Sequence, residues 1–167
     1  MATALWTKPL HLKQNSVITG DLDDDKITYS IKNAQIIHLQ GFLGTDLYNG
    51  LQERSVAGTL SANDNILINE YIESALVFWT LSDYVFTAAY NISNKGILKH
   101  RDETSETISK EEIAALGLSY QKTAEHFSQR LISYLCDNSN LYPEYNTNSG
   151  SDINPETNSN YGGLYLG

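Results

Sequence analysis

The chain has 167 residues, a net charge of −9 and a sequence pI of about 4.7. This length fits one domain with terminal segments, and the 41% hydrophobic content can supply its core. Non-specific nucleic-acid binding depends on Lys and Arg at phosphates, so 11 of these against 20 Asp and Glu disfavour it. The most apolar stretch, residues 75–90, is about four residues too short to span a bilayer. We therefore expect a soluble protein without membrane contact.

Residues 1–22 show no helical or strand periodicity, and Pro9 and Gly20 interrupt them. They are predicted to form an extended N-terminal arm. Trp6 and Leu10 are its candidate contacts, since large apolar side chains near a terminus commonly lie on another surface. That surface is either the chain's own domain or a neighbouring subunit, and both alternatives stay open.

Two helices are predicted between residues 23 and 54. The consecutive acids at 23–25 favour a helix start, because carboxylates accept hydrogen bonds from free N–H groups at helix N-termini. Apolar residues then recur at helical spacing as far as a break at residues 41–44. Thr45 is the predicted cap of a short second helix, which is expected to end near Arg54.

Two longer helices are predicted in the rest of the domain. The third helix begins at Ser61 and is apolar nearly all round from residue 75 onwards, which places it at the centre of the fold. The fourth begins with the capping box of Ser109 and Glu112, whose side chains satisfy each other's backbone N–H groups. Its apolar stripe continues to residues 137–138 and is expected to pack along the third helix.

Residues 94–108 separate these two helices without a helical signal. Such a length in a compact domain is usually functional or separately structured. Residues 96–101 are typical of a strand and residues 102–106 of a turn. We predict a protruding β-hairpin or extended loop, with candidate partner contacts at Ile97 and Leu98.

Residues 138–167 are predicted to form an asparagine-rich extended tail. They contain neither Lys nor Arg, and their polar part has too few apolar residues to fold alone. An apolar end follows, and such ends commonly dock on a partner or add a strand to a sheet. The alternative is an unattached terminus. The candidate contacts in this end are Tyr161, Leu164, Tyr165 and Leu166.

No catalytic, cofactor-binding or metal-binding residue is predicted. The acids at residues 21–25 resemble a calcium loop, but Lys26 and Lys32 occupy positions where an EF-hand needs glycine and glutamate. The four histidines lack zinc-ligand spacing. A nucleophile elbow, a P-loop and a dinucleotide-binding glycine motif are also absent from the sequence. We expect a protein that is not an enzyme.

Together these elements predict a mainly all-α fold: a bundle of about four helices, with the hairpin or loop between the last two long helices. The predicted division is an N-terminal arm over residues 1–22, a helical domain over 23–137 and a tail over 138–167.

The sequence of residues 31–51, from Ile-Lys-Asn-Ala-Gln to Leu-Tyr-Asn-Gly-Leu, runs from an Ala-Gln helix into a Leu-Gly-x-x-Leu-Tyr turn. A long aromatic helix follows at 62–90, and a final Ala/Tyr-rich helix ends in Arg-Leu-Ile-Ser-Tyr-Leu. This order resembles the small head–tail connector (adaptor) proteins of tailed bacteriophages, such as those of crAss-like and other Bacteroides-type phages. The resemblance covers roughly residues 22–137 and leaves out the tail.

The resemblance implies a virion protein, assembled in the cytoplasm of a bacterial host, that forms a twelve-fold homo-oligomeric ring below the portal protein. Such a ring joins capsid to tail, contacts the next tail or neck ring, and lets double-stranded DNA pass without specific binding. Lys95, Lys99 and Arg101 are then candidate lumen-facing cations, or else they pair with acids. The alternative functions are another neck or tail-completion protein, and a small helical binding or regulatory module unrelated to virions.

Overall fold

The fold is mainly helical, which confirms the predicted class. The computed structural model describes residues 3–16, 24–88, 90–93, 96–99, 109–147 and 152–157. The helices and strands in these ranges are α1 (Pro9–Gln14), α2 (Asp24–Ala34), α3 (Gln40–Leu43), α4 (Thr45–Ala57), α5 (Ala62–Ile66), α6 (Glu73–Ala88), β1 (Tyr90–Ser93), β2 (Gly96–Lys99), α7 (Lys110–Asp137) and α8 (Pro143–Thr147). A short 3₁₀ turn at Ser139–Leu141 precedes α8.

Two π-helical segments join some of these helices into longer runs. Gln35–Leu39 connects α2 to α3, and Leu67–Ile72 connects α5 to α6. In a π-helix each N–H bonds to the carbonyl five residues earlier, so the turn is wider than in an α-helix. The predicted first and third helices therefore exist as runs of mixed geometry, which hydrophobic spacing alone does not reveal.

Side-chain caps begin both the run that starts with α5 and the helix α7. The sequence predicts the helix start at Ser61 and the capping box of Ser109 with Glu112, and both are confirmed, whereas the cap that Ser61 forms with Asp64 was not predicted. The Ser61 hydroxyl accepts from the N–H of Asp64 at 3.0 Å, and the Asp64 carboxylate accepts from the N–H of Ser61 at 2.9 Å. Ser109 and Glu112 form the same reciprocal pair at the start of α7. The end of α7 at Asp137 also confirms the predicted end.

The junction of α3 and α4 differs from its prediction. Gly44 occupies the N-cap position of α4 with a φ of 73°, and Thr45 is already helical, so the prediction of Thr45 as the cap was wrong. The helix also continues past Arg54 to Ala57, where Gly58 in the left-handed region ends it. Glycine is favoured at such helix ends because it has no Cβ to clash at positive φ.

The core lies between α6, α7 and α2. Helices α6 and α7 are antiparallel: Tyr71, just before α6, stacks on Tyr134 near the end of α7, whereas Phe86 at the end of α6 touches Gly117 near its start. Trp79 lies between them and donates from Nε1 to the buried Ser128 Oγ at 2.9 Å. The predicted packing of the fourth helix along the third is confirmed.

Strands β1 and β2 lie between α6 and α7 and pair antiparallel, with Tyr90 opposite Lys99 and Ser93 opposite Gly96. β1 begins at Tyr90, two residues after the last residue of α6. The turn predicted at residues 102–106 lies outside the described residues.

In their described parts, the two terminal segments contain helices that pack on the rest of the chain, whereas the sequence predicts extended arms. The N-terminal segment contains the helix α1, with Leu12 fully buried. The C-terminal segment contains α8, and Tyr142 and Tyr145 belong to the hydrophobic core. Both flanking segments therefore supply core side chains, and the hydrophobic core extends beyond the predicted domain boundaries at residues 22 and 137.

Candidate interaction surfaces

Trp6, predicted as a partner contact, lies in the chain's own core with 6% of its surface exposed. Its ring meets Tyr48 edge-on, with the centroids 5.3 Å apart, and its Nε1 donates to Ser55 Oγ at 3.0 Å. Its backbone N–H donates to the buried Gln35 Oε1 at 3.0 Å. Of the two alternatives for this segment, the structure shows attachment to its own domain, with the Trp6 side chain buried there.

Leu10 lies on the outer side of α1 and is 59% exposed. Its neighbour His11 contacts the carboxylate of Glu73 on α6, so the short helix is anchored while Leu10 faces solvent. Leu10 therefore stays a candidate contact.

Residues 152–157 form a strap over the junction of α3 and α4. The N–H of Thr45 donates to the carbonyl of Ile153 at 3.0 Å, and the N–H of Glu156 donates to the carbonyl of Gly41 at 3.0 Å. These bonds satisfy backbone groups that a helix break would otherwise leave unpaired. Residues 152–157 of the tail are thus attached to the chain's own domain.

Two tyrosines fix α8 beneath this strap. The hydroxyl of Tyr142 donates to the carbonyl of Asn63 at 2.9 Å, and that of Tyr145 to the carbonyl of Glu156 at 3.2 Å. Burial raises the pKa of both hydroxyls above the ordinary value for tyrosine. Both therefore remain protonated donors at neutral pH.

The other predicted contact residues either belong to β2 or lie outside the described ranges. Ile97, Leu98 and Lys99 belong to β2, where Ile97 pairs with Ile92 and Leu98 with Asn91. The predicted residues outside the described ranges are Lys95, Arg101, Tyr161, Leu164, Tyr165 and Leu166. Three of the predicted contact residues are therefore consecutive on one strand, and their roles in binding a partner or DNA stay predictions.

A groove of about 430 Å³ lies on α7 beside Tyr71, and we call it the Arg130 groove. Its lining residues are Tyr71, His126, Gln129, Arg130, Ser133, Tyr134, Asp137 and Asn138. The guanidinium carbon of Arg130 lies 5.3 Å from the centroid of the Tyr71 ring and 5.9 Å from that of Phe127. A charged donor group thus faces an open, aromatic-lined surface.

A second surface, which we call the apolar end, lies where α6 ends and α7 begins. Phe86, Leu116 and Leu118 are 48%, 39% and 50% exposed. Phe86 closely approaches Gly117, and the two leucines flank this glycine in sequence. Three large apolar side chains therefore reach solvent around one contact between the two central helices.

Residues 39–155 match the family of unknown function DUF6712. The chain belongs to this family. No curated protein and no solved structure matches the chain. The DUF6712 region starts at the end of the first π-helical segment and ends inside the strap, at Pro155. The family match therefore includes α8 and most of the strap, in agreement with the packing of the tail on the domain.

One ion-pair network in the DUF6712 region serves this packing. Arg54 on α4 donates to Glu144 of α8 at 2.7 Å and to the buried Asp64 of α5 at 3.2 Å. Burial acts to lower the pKa of Arg54, but the hydrogen bond to Glu144 and the nearby charges of Asp64 and Glu144 outweigh it and raise the pKa. Arg54 remains charged and joins three helices.

Among the described residues, no group of three or more His, Cys, Asp or Glu side chains is placed to hold a metal ion. Two of the histidines have local partners: His38 stacks on Trp79 and lies 3.0 Å from the Asp83 carboxylate, and His11 contacts Glu73. Across the described ranges, no helix is both long and apolar enough to cross a membrane.

Sequence reasoning did not find the Arg130 groove. A local signal exists, because Phe127 and Tyr134 lie three residues before and four residues after Arg130 and therefore share a helix face with it. The decisive residue, Tyr71, is distant in sequence and reaches the site only through the packing of the DUF6712 helices. The apolar end was not predictable from local sequence either, because Phe86 of α6 and the leucines of α7 are separated by about 30 residues and come together only when the two helices pack.

Proposed function

We propose that this protein is a structural connector of a tailed-phage virion, which forms a homo-oligomeric ring below the portal, joins capsid to tail and encloses a DNA passage. The resemblance of residues 31–51 to head–tail connectors supports the proposal. This stretch spans the end of α2, the first π-helical segment, α3 and the start of α4. The resembling residues thus lie in a packed corner of the domain.

The observation that carries the proposal is the apolar end. Exposed single apolar residues are common on monomers, but neighbouring ones mark interaction sites. The exposed Phe86 lies four residues before β1, and Leu116 and Leu118 lie in the first turns of α7. In the chain, α7 is the helix that follows the hairpin with Ile97 and Leu98. In the proposed ring, the hairpin and the apolar end form one side of a subunit, and they contact a different surface of the next subunit. Ring interfaces of this head-to-tail kind require two unlike surfaces.

The charge of the chain suits a DNA conduit that does not retain DNA. At a net charge of −9, the subunit repels phosphates on average. In the proposed ring, Lys95, Lys99 and Arg101 contact passing phosphates transiently or pair with acids of a neighbouring subunit.

The first test is the mass of the protein in solution, measured by light scattering on the full chain alone and with the portal protein of the same genome. A ring former is expected to run far above 18.6 kDa, either alone or once the portal is present. A strict monomer that ignores the portal contradicts the proposal.

The second test addresses the apolar end directly. The double variant Leu116→Ser and Leu118→Ser is expected to reduce assembly while the melting temperature stays close to that of the wild type. The matched control is Val56→Ser with Ile66→Ser, which changes two residues that are also exposed but lie on α4 and α5. Equal loss of assembly in both variants argues against a specific interface at the apolar end.

The same experiments separate the alternative functions. A neck or tail-completion protein with another neighbour would bind a tail component and leave the portal unbound. A regulator that acts on nucleic acid would be retained on DNA in a salt-dependent manner.

A further inference from the structure

We propose that the Arg130 groove is a binding site for a carboxylate side chain of an acidic peptide segment on a partner protein, with Arg130 as the recognising cation. The inference goes beyond ring formation and does not depend on it, because the groove lies near the C-terminal end of α7, whereas the apolar end lies near the start of this helix.

The Arg130 guanidinium is positioned by rings and retains its hydrogen-bonding capacity. Its carbon lies 5.3 Å from the Tyr71 centroid and 5.9 Å from the Phe127 centroid, within the range of cation–π attraction. Stacking on a ring occupies the face of a guanidinium and leaves its N–H donors at the edge. Within the described ranges Arg130 makes neither an ion pair nor a hydrogen bond. Such an arginine is suited to a bidentate contact with a carboxylate.

The aromatic floor of the groove is fixed by contacts from other elements. Tyr71 and Tyr134 stack with centroids 4.1 Å apart and planes 18° from parallel. The Tyr134 hydroxyl lies 3.2 Å from that of Tyr142, which in turn donates to the carbonyl of Asn63 at 2.9 Å. Because the floor is already formed, little ordering of these side chains opposes binding.

The remaining lining favours a single carboxylate over a polyanion. His126, Ser133 and Asn138 add polar groups around Arg130. Asp137 lies seven residues after Arg130, about 10 Å further along the helix, and the carbonyl end of α7 adds negative potential beside it. A row of phosphates is repelled there. A peptide with one acid at Arg130 and a neutral or basic residue near Asp137 fits both ends of the groove.

The experiment uses the full chain, with the arginine Nε–Hε signal of Arg130 followed by NMR. The probe is a blocked peptide, Ser-Gly-Glu-Gly-Ser-Lys, and the control peptide carries Gln in place of Glu. The Glu peptide is expected to shift the Arg130 signal saturably, and the Gln peptide to bind at least about threefold more weakly, because glutamine lacks the negative charge that pairs with the guanidinium.

Three variants test whether the peptide binding depends on the guanidinium of Arg130. Arg130→Gln is expected to abolish the binding, and Arg130→Lys to weaken it, because an ammonium lacks the planar fork of donors. Lys122→Gln removes the same charge from an exposed position on the same helix and is expected to bind like the wild type. All three are expected to keep the wild-type melting temperature, since Arg130 is exposed.

Four outcomes would overturn the proposal: absence of saturable binding, equal binding of the Gln peptide, an equal loss in Lys122→Gln, and tighter Arg130-dependent binding of inorganic phosphate or a short DNA duplex. The last outcome would assign the groove to phosphate chemistry.

Discussion

Gly44 separates α3 from α4 with a φ of 73° and a ψ of 156°, a conformation that residues with a Cβ rarely adopt. The strap adds a second constraint, because a Cβ at this position would lie 2.8 Å from Pro155 Cδ. The sequence predicts a break around Gly41 and Gly44 without distinguishing their roles. The distinction depends on Pro155, which is remote in sequence, so local patterns could not supply it.

Gly44→Ala is expected to destabilise the fold by about 2 kcal/mol or more, because positive φ and the contact with Pro155 both oppose a side chain. The matched control is Gly41→Ala, at a helical position where nothing lies within 4 Å of a built Cβ. There alanine is expected to stabilise by up to about 1 kcal/mol. Urea unfolding of both variants provides the measurement, and equal effects would contradict both the conformational and the steric restriction at Gly44.

Ser128→Ala is expected to destabilise the core by about 1–3 kcal/mol, because the buried indole N–H of Trp79 loses its acceptor. The control is Ser119→Ala, an exposed serine on the same helix, with an expected effect within about 0.5 kcal/mol. Chemical denaturation measures both. A cost for Ser128→Ala no larger than that of the control would mean that Trp79 finds another acceptor.

At the scale of elements, the starts of α5 and α7 could be predicted from sequence, because a capping box needs only residues three positions apart. At the start of α7, hydrogen bonds from Ser109 lower the pKa of the Glu112 carboxyl. The bond from the backbone N–H of Ser109 has the larger effect, and the Ser109 hydroxyl contributes the smaller one. A lowered folded-state pKa means that ionised Glu112 stabilises the folded protein above the unfolded-state pKa. This contribution disappears as the pH falls through the folded-state pKa.

Glu112→Gln is therefore expected to lower stability at neutral pH, while the difference from the wild type shrinks below about pH 4, near the ordinary pKa of glutamate. Glutamine still supports a capping box, so the variant isolates the effect of the charge. Glu111→Gln is the control, since it removes an equal charge one residue away from the box. Thermal melts between pH 3 and pH 7 provide the comparison. A difference that does not change with pH would contradict the assignment.

The terminal segments are the elements that sequence reasoning missed. A polar, asparagine-rich composition indicates that the tail does not fold alone, and this inference says nothing about folding on a neighbouring surface. Tyr142 and Tyr145 carry its packing, but two tyrosines without periodicity give no local signal. Trp6 similarly needs Gln35 of the first π-helical segment and Tyr48 and Ser55 of α4, all of which are remote from it in sequence.

A protein ending at residue 157 is expected to keep the stability of the full chain, since it retains the strap and both buried tyrosines. A protein ending at residue 137 is expected to lose at least about 3 kcal/mol, the cost of removing a buried aromatic side chain. Circular dichroism melts of the two truncations measure the difference. Equal melting temperatures would show that α8 and the strap contribute nothing to folding.

At the scale of the whole molecule, composition alone already constrains the behaviour towards DNA. We expect the full chain to pass through a DNA column unretained at about 50 mM salt, where non-specific binding is stronger than at higher salt. Salt-dependent retention of the wild type would contradict the proposal that DNA passes through the ring without being bound.

The strap also has a consequence for how the protein is made. Its bonds join residues near position 45 to residues more than 100 positions later, with a separation of 108 between Thr45 and Ile153. Contacts of such high sequence separation form late, because the whole intervening chain must be present first. On the ribosome, synthesis proceeds from the N-terminus, so the junction of α3 and α4 is completed only after residues 152–157 have emerged. A nascent chain interrupted before that point would display an unpaired helix break, which distinguishes an unfinished subunit from a finished one.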